Sequence, residues 1–443
     1  MSARTIMLAM VIALASGSAA RADLASHFGL NPRTMGLAGA YTGVADDVTA
    51  LYYNPAGLVQ LKGMTAAAGI LFGAPLLNED GARLDMRRET SWYLHVGIPF
   101  TGKLKDHLAL GFSLNIPWGS LFSARVYRKQ DPYFVLYDGS VDLLQLRVGA
   151  AFRIPWKPLS FLSFGASIQV LASVVGTIGF YAPFQRGEKT NDFDSDQRLE
   201  ANLDLDVPTE GFVTVGVMAR IGEHFRVGAS YRGRQFIGVE IPVKLNTRLA
   251  LAGNSAINLP VDATAILRAK YYPQQVSLGG SFRSKRWLVA LDLTWVNYAD
   301  YQVPFARIDL DIERLIRDPG VLIFLGPDAT LLAPRAPKIE FSNMIVPRLG
   351  VEYTALDWLI VRGGYFYEHS PLKTTDFPIY DTDKHSFSLG ARATFLKPLG
   401  LLPGRLNIDV SLTDIVYIGR DILGSRASGH VLGLFTGVEI TLL

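Results

Sequence analysis

Nine ionisable side chains fall at alternate positions of otherwise strand-like stretches: Arg147, Arg232, Asp292, Arg348, Glu352, Arg362, Glu368, Arg392 and Asp409. Charges gathered on one face of a set of strands and turned into a confined space must neutralise one another, because an unpaired charge away from bulk water is costly. An arginine left over from such pairing can take a carboxylate through two parallel hydrogen bonds. Nothing in the spacing gives that task to a particular arginine. Catalysis finds little footing. There is no Gly-x-Ser-x-Gly elbow, no His-Glu-x-x-His and no phosphate loop, and the 7 histidines are scattered without metal-ligand spacing. No catalytic residue, cofactor or metal is expected. A lipid-modifying enzyme would need a Ser/His pair on a lipid-facing rim, and the sequence offers none.

What could hold these charges in a ring is legible in the composition. The chain has 443 residues, 42 Gly, 18 Tyr and no cysteine, so no disulfide or thiolate chemistry exists here. A net charge of +3, without a clustered basic face, gives no support to nucleic-acid binding. Arg4, an apolar run over 6–15 and Ala20-Arg21-Ala22 fit a secretory signal peptide over 1–22, with the mature chain starting at Asp23. Beyond it no apolar run reaches the roughly 18 residues a transmembrane helix needs. Short alternating stretches take its place. In 405–413, Leu406, Ile408, Val410 and Leu412 share one face while Arg405, Asn407, Asp409, Ser411 and Thr413 share the other. Phe387, Leu389, Ala391, Ala393 and Phe395 alternate with polar or small residues in the same way, as do Phe225, Val227, Ala229 and Tyr231.

Fourteen such stretches are expected, at 64–72, 91–99, 107–114, 141–154, 162–177, 212–221, 225–240, 274–283, 287–298, 348–354, 359–368, 385–395, 405–414 and 431–443. Short turns at 103–106, 222–224, 284–286 and 356–357 alternate with long connections at 121–140, 178–210, 241–273, 299–347 and 370–384, the asymmetry of outer-membrane barrels. Ile308, Leu310, Ile312, Leu315 and Ile316 suggest a short amphipathic helix in the fourth long connection. Trp92, Tyr93, Trp156, Trp287, Trp295, Tyr298, Tyr301 and Trp358 lie near strand ends, where interfacial aromatic girdles belong. The fold class is therefore an all-β membrane protein, an antiparallel transmembrane β-barrel of about 14 strands over 64–443.

Ahead of the strands, 35–61 reads MGLAGAYTGVADDVTALYYNPAGLVQL, a compact and partly helical segment within 23–63. Pro55 pushes Asn54 toward an extended conformation, so Asn54-Pro55-Ala56-Gly57 is either a bend with a task or the plain end of a helix over 48–53. Gly36, Gly39 and Gly43 would give the segment backbone freedom. The stretch Tyr52-Tyr53-Asn54-Pro55-Ala56-Gly57-Leu58 closely resembles the hatch of the OMPP1/FadL/TodX family, outer-membrane channels for long-chain fatty acids and hydrophobic hydrocarbons. The stretch from Arg362 to Pro371 and 381–390 are similar to that family's late strands.

The resemblance implies a helical hatch inside the lumen, gated at Asn54, Pro55, Ala56 and Gly57, and a kinked third strand that opens a lateral exit. Asn115-Ile116-Pro117-Trp118-Gly119 is the matching candidate for the kink, and on its residues alone it is equally the end of a strand. It further implies passive uptake of fatty acids, hydrocarbons or related lipids, first adhering at 178–210 and 241–273. The expected setting is the outer membrane of a Gram-negative bacterium, among its lipids, as a monomer inserted by the barrel-assembly machinery. Family barrels commonly end in Phe, and here the alternating 439–443 ends in Leu. The alternative is a barrel of this fold acting as a structural or assembly partner without transport, which a lumen filled by paired side chains would favour.

Overall fold

The computed structural model describes residues 28–86, 88–117, 122–124, 133–134, 136, 141–171, 174–183, 198–207, 211–250, 256–301, 305–310, 339–376, 378–396 and 404–442. The signal-peptide stretch 1–22, Trp118 and Gly119 lie outside them.

The main sheet is built from β1 (Met64–Glu79), β2 (Glu89–Pro99), β3 (Leu108–Pro117), β4 (Gln145–Arg153), β5 (Leu162–Leu171), β6 (Gly211–Ile221) and β7 (Phe225–Arg232). It continues with β8 (Gln275–Arg283), β9 (Trp287–Val296), β10 (Met344–Leu356), β11 (Leu359–Glu368), β12 (Lys384–Leu396), β13 (Gly404–Ile422) and β14 (Ser425–Leu442). Each pairs antiparallel with its neighbours in chain order, and β1 pairs with both β2 and β14, from Met64↔Leu442 to Glu79↔Ala427. The 14 strands thus close into a barrel with no free edge, the arrangement that satisfies every strand's backbone inside lipid.

The two-residue period sorts the side chains. Leu389 (69% exposed), Leu291 (61%) and Ile345 (60%) point outward, while Ser386, Ser388, Asp292 and Arg362 on the same strands or their neighbours are buried inside. An exposed apolar skin around a polar interior is the reverse of a soluble fold and suits a hydrocarbon solvent.

The connections 222–224, 284–286 and 357–358 gather at one end, the short-turn end, where Trp156, Trp287 and Trp358 are exposed as a girdle requires. The other aromatics divide differently. Tyr93 shares the inward phase of Ser91 and His95, is 5% exposed and packs edge-to-face on Phe435; Tyr298 and Tyr301 pack against the inner apolar cluster. Proximity to a strand end says nothing about face: for Tyr93 the phase of the alternation decides, and Tyr298 and Tyr301 lie past the end of β9, where the chain leaves the ladder.

Several ranges also differ. The expected strand 162–177 is divided between β5 and Val174–Pro183, and 225–240 between β7 and Gln235–Ala250. Beyond the barrel, Val174–Pro183 pairs with Arg198–Val207, and Gln235–Ala250 with Ala256–Tyr272, which in turn pairs with Phe305–Leu310. Two of the long connections thus carry antiparallel strand pairs of their own. Ile237, Val239, Ile241, Val243 and Leu245 carry the alternation in the sequence, masked there by Pro242. Ile308 and Leu310 fall in a strand, and the remainder of the suggested helix lies outside the described residues.

Candidate functional site

Residues 28–63 fold into the barrel interior. Two short helices, α1 (Pro32–Gly36) and α2 (Ala50–Tyr53), and a 3-10 turn over Pro55–Gln60 make up its regular structure. So little helix leaves most backbone carbonyls without an internal partner, and a buried carbonyl must find one. The wall provides it. Ser163 Oγ donates to Ala56 O (2.9 Å), Ser230 Oγ to Tyr53 O (2.7 Å), Ser281 Oγ to Gly43 O (2.7 Å) and Ser411 Oγ to Pro32 O (2.6 Å). In the other direction the Tyr41 and Thr42 N–H groups donate to Asp292 Oδ2 at 2.9 and 2.7 Å.

Asn54 is fully buried at the junction of α2 and the 3-10 turn. Its Oδ1 accepts from Ala56 N–H (3.2 Å), and its Nδ2 donates to Thr42 O (3.0 Å) within the segment and to Val217 O (3.1 Å) on β6. One side chain therefore ends a helix, starts the next turn and ties the segment to the wall. Pro55 occupies the first position of that turn, where a missing N–H costs nothing.

The seat against which this segment rests is made of glycine. Gly97, Gly111 and Gly149 stand opposite one another on β2, β3 and β4; Gly165 faces Gly216, Gly228 faces Gly279 and Gly350 faces Gly364 across later ladders. A Cβ at these positions would meet Leu61, Leu51, Pro55, Asn54, Thr42, Gly43 and Leu37 of the plug. Gly36 and Gly43 are small for the same reason, pressed against Ser411 and against Gly279 and Gly280; only Gly39 of the three uses a positive φ, +74°. Close approach, rather than backbone freedom, is what Gly36 and Gly43 supply. One small residue at the inward phase of nearly every strand was the signal for this seat in the sequence.

The lumen charges form one connected system on the short-turn side. Arg33 of α1 grips Glu352 on β10 with two hydrogen bonds (2.7 and 2.9 Å) and reaches Tyr41 Oη at 2.9 Å and Asp46 at 2.5 Å. Asp46 is shared with Arg283 (2.6 Å), and Glu352 with Arg362 (2.7 Å). Arg362 continues to Asp409 (2.7 Å), which Arg392 also holds on its way to Glu439. Burial pushes the Asp46 carboxyl up, and the Arg33 and Arg283 guanidiniums more than reverse this, holding it at about 2. Of this system, Arg33, Asp46, Arg283 and Glu439 were not singled out from the sequence: Arg33 and Asp46 lie inside the plug and have no strand phase to reveal them, and Arg283 and Glu439 lie at or near the ends of β8 and β14.

The remaining charges face the other side. Glu368 pairs with the buried Lys384 (2.7 Å), which also holds Asp381 (2.9 Å). Arg348 donates to Ala38 O (3.1 Å) beneath Phe366, and Arg232 donates to Tyr52 O (2.7 Å) with its guanidinium 3.4 Å from the Tyr52 ring centre. Neither has a carboxylate partner among the described residues. Together with Phe28, Met35, Val296, Val346 and Phe366 they line a chamber of about 950 Å³, partly open to solvent, between the plug and the long connections.

The third strand is paired along its whole length with β2, to Ser91↔Pro117, but with β4 only to Asn115↔Gln145. Ile116 and Pro117 thus have no ladder partner on that side among the described residues. Just inside, Arg147 donates to Asn115 Oδ1 (3.1 Å) and Gln145 Oε1 (2.5 Å).

A family model described as outer membrane protein transport protein (OMPP1/FadL/TodX) matches residues 15–416. Alkane uptake protein A of Marinobacter nauticus is 23% identical over 434 residues, covering 89% of this chain and 85% of its own. Among solved structures, a Pseudomonas aeruginosa FadL homologue aligns with a TM-score of 0.59 at 15% identity, over 93% of this chain and 98% of that one. The P. putida toluene transporter TodX aligns at 0.52 and 14% identity, over 94% and 99%.

Proposed function

Because the chain belongs to the OMPP1/FadL/TodX family of outer membrane transport proteins, we propose that it admits small apolar molecules, hydrocarbons or long-chain fatty acids, through a gate formed by the plug and releases them sideways through the wall. Uptake of hydrophobic compounds across the outer membrane is the family's task, one of transport channels rather than enzymes.

The observation that carries the finer reading is the chamber above Tyr52 and Tyr53. Its floor is the plug, and Phe28, Met35, Val296, Val346 and Phe366 offer apolar surface among polar and charged groups, so that burial against them rewards a greasy cargo by about 25 cal/mol per Å². Movement onward requires Asn54 to release Thr42 and Val217. The flank of β3 at Ile116 and Pro117, where the pairing with β4 stops, is then the opening through which a cargo reaches the membrane. No energy source is invoked; the gradient suffices.

The test is uptake of labelled alkane, toluene and oleate by cells that lack other channels of this kind. Ile116→Trp should close the flank and reduce uptake at least tenfold with undiminished folded barrel. Unchanged uptake in that variant refutes the lateral route. Absence of uptake of every cargo by the unaltered protein refutes transport and leaves the structural role.

A further inference from the structure

Beneath the plug, on the short-turn side, lies a second chamber, open to solvent and more densely charged than the first. Seven cationic side chains face it against four anionic ones. All four acids are already engaged: Asp46 by Arg33 and Arg283, Asp47 by Tyr41 and Arg33, Glu352 by Arg33 and Arg362, Glu439 by Arg392. Arg226 and Arg405 are left without an ion pair or side-chain hydrogen bond among the described residues.

The excess extends along the wall. Arg220 on β6 stands directly opposite Arg226 on β7, a like-charge pair that destabilises a ladder when nothing neutralises it. Arg153 at the end of β4 and Arg283 at the end of β8 lie within repelling range of Arg226, and the anions facing this arc are Asp46 and Asp106. Arg362, whose side chain has no exposure, keeps Nη2 without a hydrogen-bond partner, and Arg283 keeps Nε in the same state. Buried guanidinium N–H groups without acceptors, beside a polar chamber, mark an excess of positive charge that the side chains around it leave uncompensated.

We propose that this lower chamber is an anion site for a carboxylate or phosphate group, held by Arg226 and Arg405, with the Arg283 and Arg362 guanidiniums adding positive charge beside it. It stands apart from the upper chamber, with the plug between them. Arginine is suited to this role because its fork matches both oxyanions and keeps its charge at any accessible pH. Two sources share that chemistry: a free small anion, and the head group of an amphiphile.

The experiment uses the full chain in a non-ionic detergent. Binding of radiolabelled inorganic phosphate is measured by equilibrium dialysis at low ionic strength, for the unaltered protein, for R226Q/R405Q, and for R232Q in the upper chamber. The unaltered protein and R232Q should bind one phosphate alike, and R226Q/R405Q at least tenfold more weakly. Its folding is not at risk, since the substitutions relieve repulsion; heat-modifiable migration confirms the barrel. Displacement of bound phosphate by acetate or by laurate below its micelle concentration then separates the sources. Laurate acting at least tenfold below acetate assigns an amphiphile head group; equal potency assigns a free anion. No saturable phosphate binding, or binding that survives R226Q/R405Q, overturns the site. The readout is binding, so its failure leaves the uptake reading untouched.

Discussion

Removing Arg33 should unfasten the plug without unfolding the barrel. Its guanidinium is the only bond of charge from α1 to the wall among the described residues, gripping Glu352 with both branches and holding Asp46 and Tyr41 besides. Truncating one partner of a buried ion pair costs roughly 3–5 kcal/mol, because the other is left uncompensated. Here Glu352 keeps Arg362 and Asp46 keeps Arg283, so the lower figure applies. About 3 kcal/mol corresponds to roughly a hundredfold change in an opening equilibrium. Hydrogen exchange of the full protein in detergent reads it directly. In R33M, amides such as Ala38 and Asn54, bonded to Met35 O and Ala50 O, should exchange about a hundredfold faster while β13 and β14 amides keep their rates. R33M/E352M should recover most of the protection, since apolar replacement of both partners of a buried pair is often neutral. Rates in R33M within threefold of the parent would refute the reasoning. Equal acceleration in the strands would show that the plug has no opening of its own.

Acid should loosen the same latch. Asp46 is held at about 2 against an ordinary 3.8, so its contribution, about 2 kcal/mol, is complete above pH 5 or so and is lost as pH falls from about 4 toward 2; thermal unfolding should decline over that window in the parent, and a D46N variant that declines identically would exclude Asp46 as the cause. Asn54→Leu keeps the volume but orphans Thr42 O and Ala56 N–H and cuts the tie to Val217 O, costing about 2–4 kcal/mol of plug docking, which should appear as raised ion conductance in planar bilayers. Gly228→Val drives a side chain into Thr42 and Asn54 and should raise conductance likewise, with heat-modifiable migration retained.

The barrel was legible because its physics is local. A strand between lipid and a polar lumen writes its period into every pair of residues, and 359–368 was placed residue for residue at β11. Where the constraint is relaxed, the reading blurred: β13 continues past Thr413 to Ile422 because Ile415 and Tyr417 turn apolar side chains inward above the plug, erasing the polar half of the pattern. Asn54 was visible as a break in helical sequence, and Arg362, Glu352 and Asp409 as charges in phase. Their partners Arg33 and Asp46 were not, since a contact between residues 33 and 352 depends on how the plug docks and on nothing in the neighbourhood of either.

Ser411 binds Pro32, across 379 residues, and Gly433 lies under Phe28, so the beginning of the chain finds its resting place on ribbons synthesised last. The plug's seat is therefore complete only when β13 and β14 arrive and β14 meets β1 at the seam immediately after Gly63. Sealing the circle and stoppering it become a single late event. Any delay in delivering the final hairpin leaves an unstoppered, half-closed ribbon with a bare edge, and the cell bears the leak for as long as that lasts.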